Sequence, residues 1–187
     1  MQRPVINPVA VRLCGLLLAL LLAAPMRLPA SELSPQQLVH DTSSRMLAAL
    51  HAEQGSIDRD EAHLYRLVEE IVLPYFDFRR MSQWVLGRNW RTATAQQREQ
   101  FVEQFRVLLV RTYSTALLEY ADEEIVYLPA AEEREDTTVM VRTEINQPGV
   151  GVIPINYSMY PSGNGWKVYD IAISGVSLVT NYRSNYG

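Results

Sequence analysis

The sequence predicts an α+β fold: N-terminal helices packed on one face of a curved antiparallel sheet, in one domain. Two observations carry this. Up to Tyr120 the apolar residues recur at steps of three and four, the period of a helix with one buried face. After Tyr120 the period drops to two, and the alternating runs are separated by turn-forming clusters, as in an antiparallel meander. Helices first and strands afterwards is the order of an α+β domain.

Residues 1–30 read as a signal peptide rather than as part of the fold. Arg3 and Arg12 form a basic start, and residues 13–24 an apolar core shorter than the ~20 residues that span a bilayer. Leu28-Pro-Ala30 is a plausible cleavage site. The single cysteine, Cys14, lies in this segment. The domain at 31–187 is therefore expected to hold together by packing alone, although export permits disulfides.

A first helix is predicted over 34–53. Ser34 caps it, Pro35 suits the first turn, and Gln37 completes a capping box. Val39, Met46, Leu47 and Leu50 give it an apolar face. Gly55-Ser56 reads as a break, after which Asp58 caps a second helix carrying Leu64, Leu67, Val68 and Ile71. Pro74 ends it, because the residue before a proline disfavours helix.

Residues 75–120 are the aromatic heart of the chain. Asp77 is a good N-cap for a helix over 78–86, and Gly87 supplies the residue that ends it. Thr94 and Gln97 form a second capping box. The long helix behind it carries Val102, Phe105, Leu109, Tyr113, Ala116 and Tyr120 at helical spacing, widened by Phe101, Leu108, Thr112 and Leu117. Strands are predicted over 124–129, 137–145, 152–160 and 166–173. In the second, Val139, Val141, Thr143 and Ile145 alternate with polar or flexible residues. In the third, Ile153, Ile155 and Tyr157 do so. Pro154 cannot donate to a ladder, so an edge position or a bulge is expected there.

Composition excludes some functions. The 21 acidic residues all fall in 31–187, with only 14 of the 17 basic ones, which is the wrong balance for a nucleic-acid partner. There is no His-Glu-x-x-His pair, no cysteine ligand set and no glycine-rich phosphate loop, so no metal or cofactor is expected. His40, His51 and His63 read as surface residues. Ser174-Gly-Val-Ser177 does not form a nucleophile elbow. Asp170 is the one acid worth weighing as a cavity base. The preferred reading is a carboxylate satisfied by neighbouring backbone amides or by an arginine.

Several stretches resemble the MlaC family, the periplasmic phospholipid carriers also called toluene-tolerance auxiliary proteins. They are Pro74-Tyr-Phe-Asp-Phe78, Val85-Leu-Gly-Arg88, Trp90-Arg-Thr-Ala-Thr94, Gln97-Arg-x-x-Phe101, Thr112-Tyr113, Trp166-Lys-Val-Tyr-Asp170, Gly175-Val-Ser-Leu178 and Asn181-Tyr-Arg183. The resemblance implies a non-enzymatic carrier in the periplasm. Its partners would be phospholipid, an inner-membrane ABC transporter complex and an outer-membrane lipoprotein–porin assembly, and it would serve outer-membrane lipid asymmetry. Hydrocarbon explains why such a carrier needs a dry interior: at ~0.8 kcal/mol per methylene, a chain of about sixteen carbons gains on the order of 12 kcal/mol by leaving water.

Periodicity alone marks the large apolar residues as core. The resemblance turns them into a candidate acyl-chain slot between helices and sheet. From the helices these are Phe76, Trp84, Phe101, Phe105, Leu109 and Tyr113. From the strands they are Val139, Val141, Ile153, Ile155, Tyr157 and Ile171. Arg79, Arg80, Arg88, Arg91 and Arg98 form a basic zone, read either as flanking the slot mouth and contacting headgroups or docking proteins, or as a solvated helix face with ion pairs to Glu99 and Glu103. Family members usually continue past Asn181-Tyr-Arg183 into a further helical segment, which is apparently missing here. Two rival readings remain: a small cavity enzyme of the cystatin/NTF2-like fold with Asp170 as acid or base, and a structural adaptor of an ABC transporter whose aromatic wall is solid core.

Overall fold

The structure is a computed structural model that describes residues 33–129, 138–163 and 165–186. The leader expected over 1–30, with Cys14, lies outside the described residues, as do Thr137 at the start of one expected strand and Asn164 in one expected turn.

Helix α1 (Pro35–Ile57) begins with the predicted capping box: Ser34 Oγ accepts from the Gln37 amide, and the Gln37 side chain accepts from the Ser34 amide. It does not stop at Gly55-Ser56. The reason is Ile57, which is 4% exposed and packs with Leu50 and Leu64. Burying an isoleucine is worth about 1.5–3 kcal/mol, more than the ~1 kcal/mol a helical glycine costs. The cap of α2 (Glu61–Ile71) is accordingly Asp60, whose side chain accepts from the Ala62 amide, and not Asp58. A single 3₁₀ turn, Leu73–Tyr75, then carries the chain round Pro74.

Asp77 caps α3 (Phe78–Leu86) by accepting from the Arg80 amide at 2.8 Å. Gly87 ends it with φ 53° and ψ −115°, a combination that a Cβ disfavours. A short helix follows that periodicity did not reveal, α4 (Arg88–Thr92). The Thr94–Gln97 capping box then opens α5 (Ala95–Glu119), with both reciprocal bonds formed.

The strands form one antiparallel meander, β1 (Ile125–Tyr127), β2 (Val139–Gln147), β3 (Gly151–Ser162), β4 (Gly165–Ile173) and β5 (Val176–Ser177), in that spatial order. Register places Ile145 opposite Ile153, Thr143 opposite Ile155, Val141 opposite Tyr157, and Tyr157 opposite Ile171. The predicted inward residues of β2 and β3 thus share one face. Between Ser158 and Met159 the β4 partner jumps from Asp170 to Val168, so Tyr169 is an extra, bulged residue. The bulge keeps Val168 and Ile171 on the same face despite their odd spacing.

Pro154 sits where its missing donor does no harm. Its carbonyl accepts from Ser174 N on the β4 side, so its nitrogen faces that side too, just past the last β3–β4 pair, Ile155 with Ile173. The chain ends the described region in a helix not foreseen, α6 (Leu178–Tyr186), which packs on α3 and β4. Among the described residues, no helix is long and apolar enough to cross a membrane.

Candidate functional site

The buried residues do not merge into one core. One cluster joins α1, α2 and α5 through Met46, Leu50, Leu64 and Val110. A second joins the start of α1 to the sheet through Leu38, Val39, Val141 and Met159. A third joins α3, α5 and α6 through Met81, Phe105, Leu109 and Val179. Between them lies a cavity of about 420 Å³, within the range of small-ligand sites.

All three clusters contribute to its wall: Leu50, Val68 and Val110 from the first, Leu38, Met159 and Val168 from the second, Met81 and Leu109 from the third. Among the described residues, no Asp, Glu, Lys, Arg or His lines it. Its polar groups are hydroxyls. Ser114 Oγ, on a residue 2% exposed, has no hydrogen-bond partner among the described residues. Burial pushes the Tyr157 phenol up to about 12, against a smaller opposing effect of the Thr143 hydroxyl. Burial, followed by the neighbouring Tyr182, does the same for Tyr113. A wall with these properties favours hydrocarbon and keeps ions out.

Of the residues proposed from sequence for the slot, Phe76, Leu109, Tyr113, Ile153, Ile155, Tyr157 and Ile171 line the cavity. The others do not, each for a packing reason. Phe101 and Phe105 face α6, with Phe105 edge-on to Tyr182 at 5.3 Å and Phe101 edge-on to Tyr186 at 5.9 Å. Val141 is covered by Leu38 and Val39, and Val139 pairs with Met159 beyond the cavity. Trp84 lies four positions after Arg80 and shares its outward face, 48% exposed and tilted against Tyr169 at 5.7 Å. The largest omission is α1, whose Leu38, Val39, Thr42, Ser43, Met46, Leu47 and Leu50 form one wall. Their spacing of three and four was the available signal.

The basic zone is elsewhere. Arg79, Arg80, Arg88 and Arg91, with Arg183 from α6, line a separate polar groove of about 700 Å³ that shares no residue with the cavity. Arg98 lies outside it: its Nε donates to Trp90 O at 2.8 Å and its Nη2 to Arg91 O at 3.3 Å, which satisfies the carbonyl end of α4.

Asp170 also lies outside the cavity wall. It accepts from Ser177 Oγ at 2.6 Å and from Val179 N at 3.1 Å, so it holds the first turn of α6. The two sequence blocks, about half the chain apart, meet near here, with the Arg183 guanidinium lying over Gly87.

A family model described as "MlaC protein" matches residues 40–187. The chain belongs to the MlaC family. Among curated proteins it is 30% identical over 160 residues to the intermembrane phospholipid transport system binding protein MlaC of Haemophilus influenzae, covering 83% of this chain and 74% of that one. It is 27% identical over 172 residues to the toluene tolerance protein ttg2D of Pseudomonas putida, covering 91% and 79%. Among solved structures it matches the phospholipid-binding protein from Ralstonia solanacearum in complex with a phospholipid. That match has a TM-score of 0.76 at 33% identity, covering 82% of this chain and 85% of that chain. In MlaC-family terms, the helices and sheet that enclose the cavity all fall inside the matched region, apart from the first turn of α1.

Proposed function

We propose that this chain is a non-enzymatic phospholipid carrier of the periplasm, moving lipid between inner- and outer-membrane complexes and so serving outer-membrane lipid asymmetry. The observation that carries this reading is the cavity: about 420 Å³ between helices and sheet, with no charged residue in its wall among the described residues. Acyl chains enter such a space with the full benefit of leaving water, while the phosphate and headgroup stay wet, because nothing inside would compensate their charge. The named relatives support the same reading, being a phospholipid transport binding protein and a phospholipid-binding protein seen with its lipid. The rival enzyme reading loses its candidate, since both Asp170 oxygens are engaged in capping α6 outside the cavity. The adaptor reading requires a solid core, which this interior lacks.

The test is transfer. Donor vesicles carrying a fluorescent phospholipid are separated from acceptor vesicles by a membrane that only the protein can cross. Transfer rising in proportion to protein concentration supports the carrier. Transfer no faster than without protein contradicts it.

A further inference from the structure

The groove on the outer face of α3 holds an imbalance of charge that the fold does not use. Five arginines line it against one carboxylate, Asp77, in a chain whose formal charge is −4. Asp77 is already occupied at both oxygens: Oδ1 accepts from Arg80 N at 2.8 Å and Oδ2 from Tyr160 Oη at 2.5 Å. Arg79 pairs with Glu99. Among the described residues, Arg80, Arg88, Arg91 and Arg183 have no carboxylate within ion-pair distance. A groove lined by charges of one sign concentrates ions of the other, so this one favours an anionic partner.

The groove is also built rigidly. Arg80 is stacked on Tyr160 at 4.1 Å and on Tyr169 at 4.6 Å. Trp90 is 8% exposed and flanked by Arg79 at 5.5 Å and Arg98 at 5.4 Å. Trp84 remains 48% exposed beside them. A half-exposed tryptophan among arginines matches the residue types that dominate binding energy at protein interfaces, and each guanidinium fork can donate two N–H bonds to one carboxylate.

From this geometry we infer that the Arg–Trp groove is a docking surface for an acidic segment of a partner protein. It deepens the carrier reading by giving the partner a chemistry. Because α3 presents Phe78 and Met81 to the cavity and its arginines to the groove, the partner docks without covering the lipid.

The probe is a fluorescein-labelled poly-glutamate peptide, titrated with the purified protein and followed by anisotropy. Arg88→Glu with Arg91→Glu is expected to weaken binding by about tenfold or more, as loss of an interface anchor does. The exposed pair Arg45→Glu with Arg59→Glu, an equal change in charge elsewhere, is expected to change it by less than about twofold. Peptide that does not bind the unaltered protein, or that loses affinity equally in both variants, overturns the proposal. So does groove-dependent binding confined to phosphatidylglycerol vesicles, or a self-association that the Arg88/Arg91 variant abolishes. Copurified lipid, measured in the same preparations, should stay unchanged in both variants. Lost peptide binding with lipid retained removes only the docking surface, whereas a chain bare of lipid removes the carrier reading itself.

Discussion

Asp170 Oδ1 accepts the backbone N–H of Val179 across 3.1 Å, tying the end of β4 to the first turn of α6. Ser177 supports the same turn, receiving the Thr180 amide at 3.0 Å while its own hydroxyl donates to Asp170. Losing a helix cap of this type costs about 0.5–2 kcal/mol. Asp170→Ala is therefore expected to lower unfolding free energy by an amount in that range, read from urea titration, and to leave bound lipid in place. A loss of a hydrolytic or other turnover in this variant would instead revive the enzyme reading.

Gly87 cannot take a side chain without strain, because φ 53° with ψ −115° is reached only at a cost once a Cβ is present. Gly87→Ala is expected to destabilise by more than about 1 kcal/mol. The check is a shift in denaturation midpoint at constant slope.

Filling the cavity separates vacancy from core. Ile155 lines it from the middle of β3. In a packed interior Ile155→Trp would cost about 1–3 kcal/mol by overpacking. With space to occupy, the indole is expected to leave stability near that of the unaltered protein and to displace the lipid. Thermal denaturation and lipid extraction on one preparation read both.

Alkaline pH gives an independent view of the wall. The Tyr157 phenol is pushed up to about 12 by burial. Its folded-state value lies above the unfolded value of about 10, so the folded state holds this proton more tightly. That contribution is fully present below pH ~10 and is lost as pH rises toward ~12, with a total on the order of 2–3 kcal/mol. Tyr157→Phe, which cannot ionise, is expected to flatten the loss of stability between those limits. An unchanged alkaline profile would contradict the burial of this hydroxyl.

Much of the fold was legible because local signals and tertiary packing agreed. The capping boxes at Ser34 and Thr94 start helices where they stand. The alternation in β2 and β3 gives the correct inward face, since a strand with one face buried fixes its own register. What failed was long-range. Nothing local says that Ile57 needs a buried place, so the break at Gly55 looked stronger than it was. Helix α6 has a mostly polar sequence with no sustained apolar face, so no periodic signal announces it; the local sign is Ser177, whose Oγ accepts from the Thr180 amide, while Asp170 on β4 adds a long-range bond to Val179 N. Missing α6 is also why Phe101 and Phe105 were assigned to the slot: it covers the part of α5 they occupy. The closeness of the arginines is plain in the sequence, whereas only the packing of α3, α4 and α6 gathers Arg79, Arg80, Arg88 and Arg91 with Arg183 in a groove separate from the cavity lining.

The most direct measurement is native mass spectrometry of the protein purified from cells, followed by extraction and identification of whatever it carries. The account predicts phospholipid at about one molecule per chain, lost on Ile155→Trp and retained on Arg88→Glu with Arg91→Glu. Protein that emerges bare, with the same mass before and after solvent extraction, would contradict it.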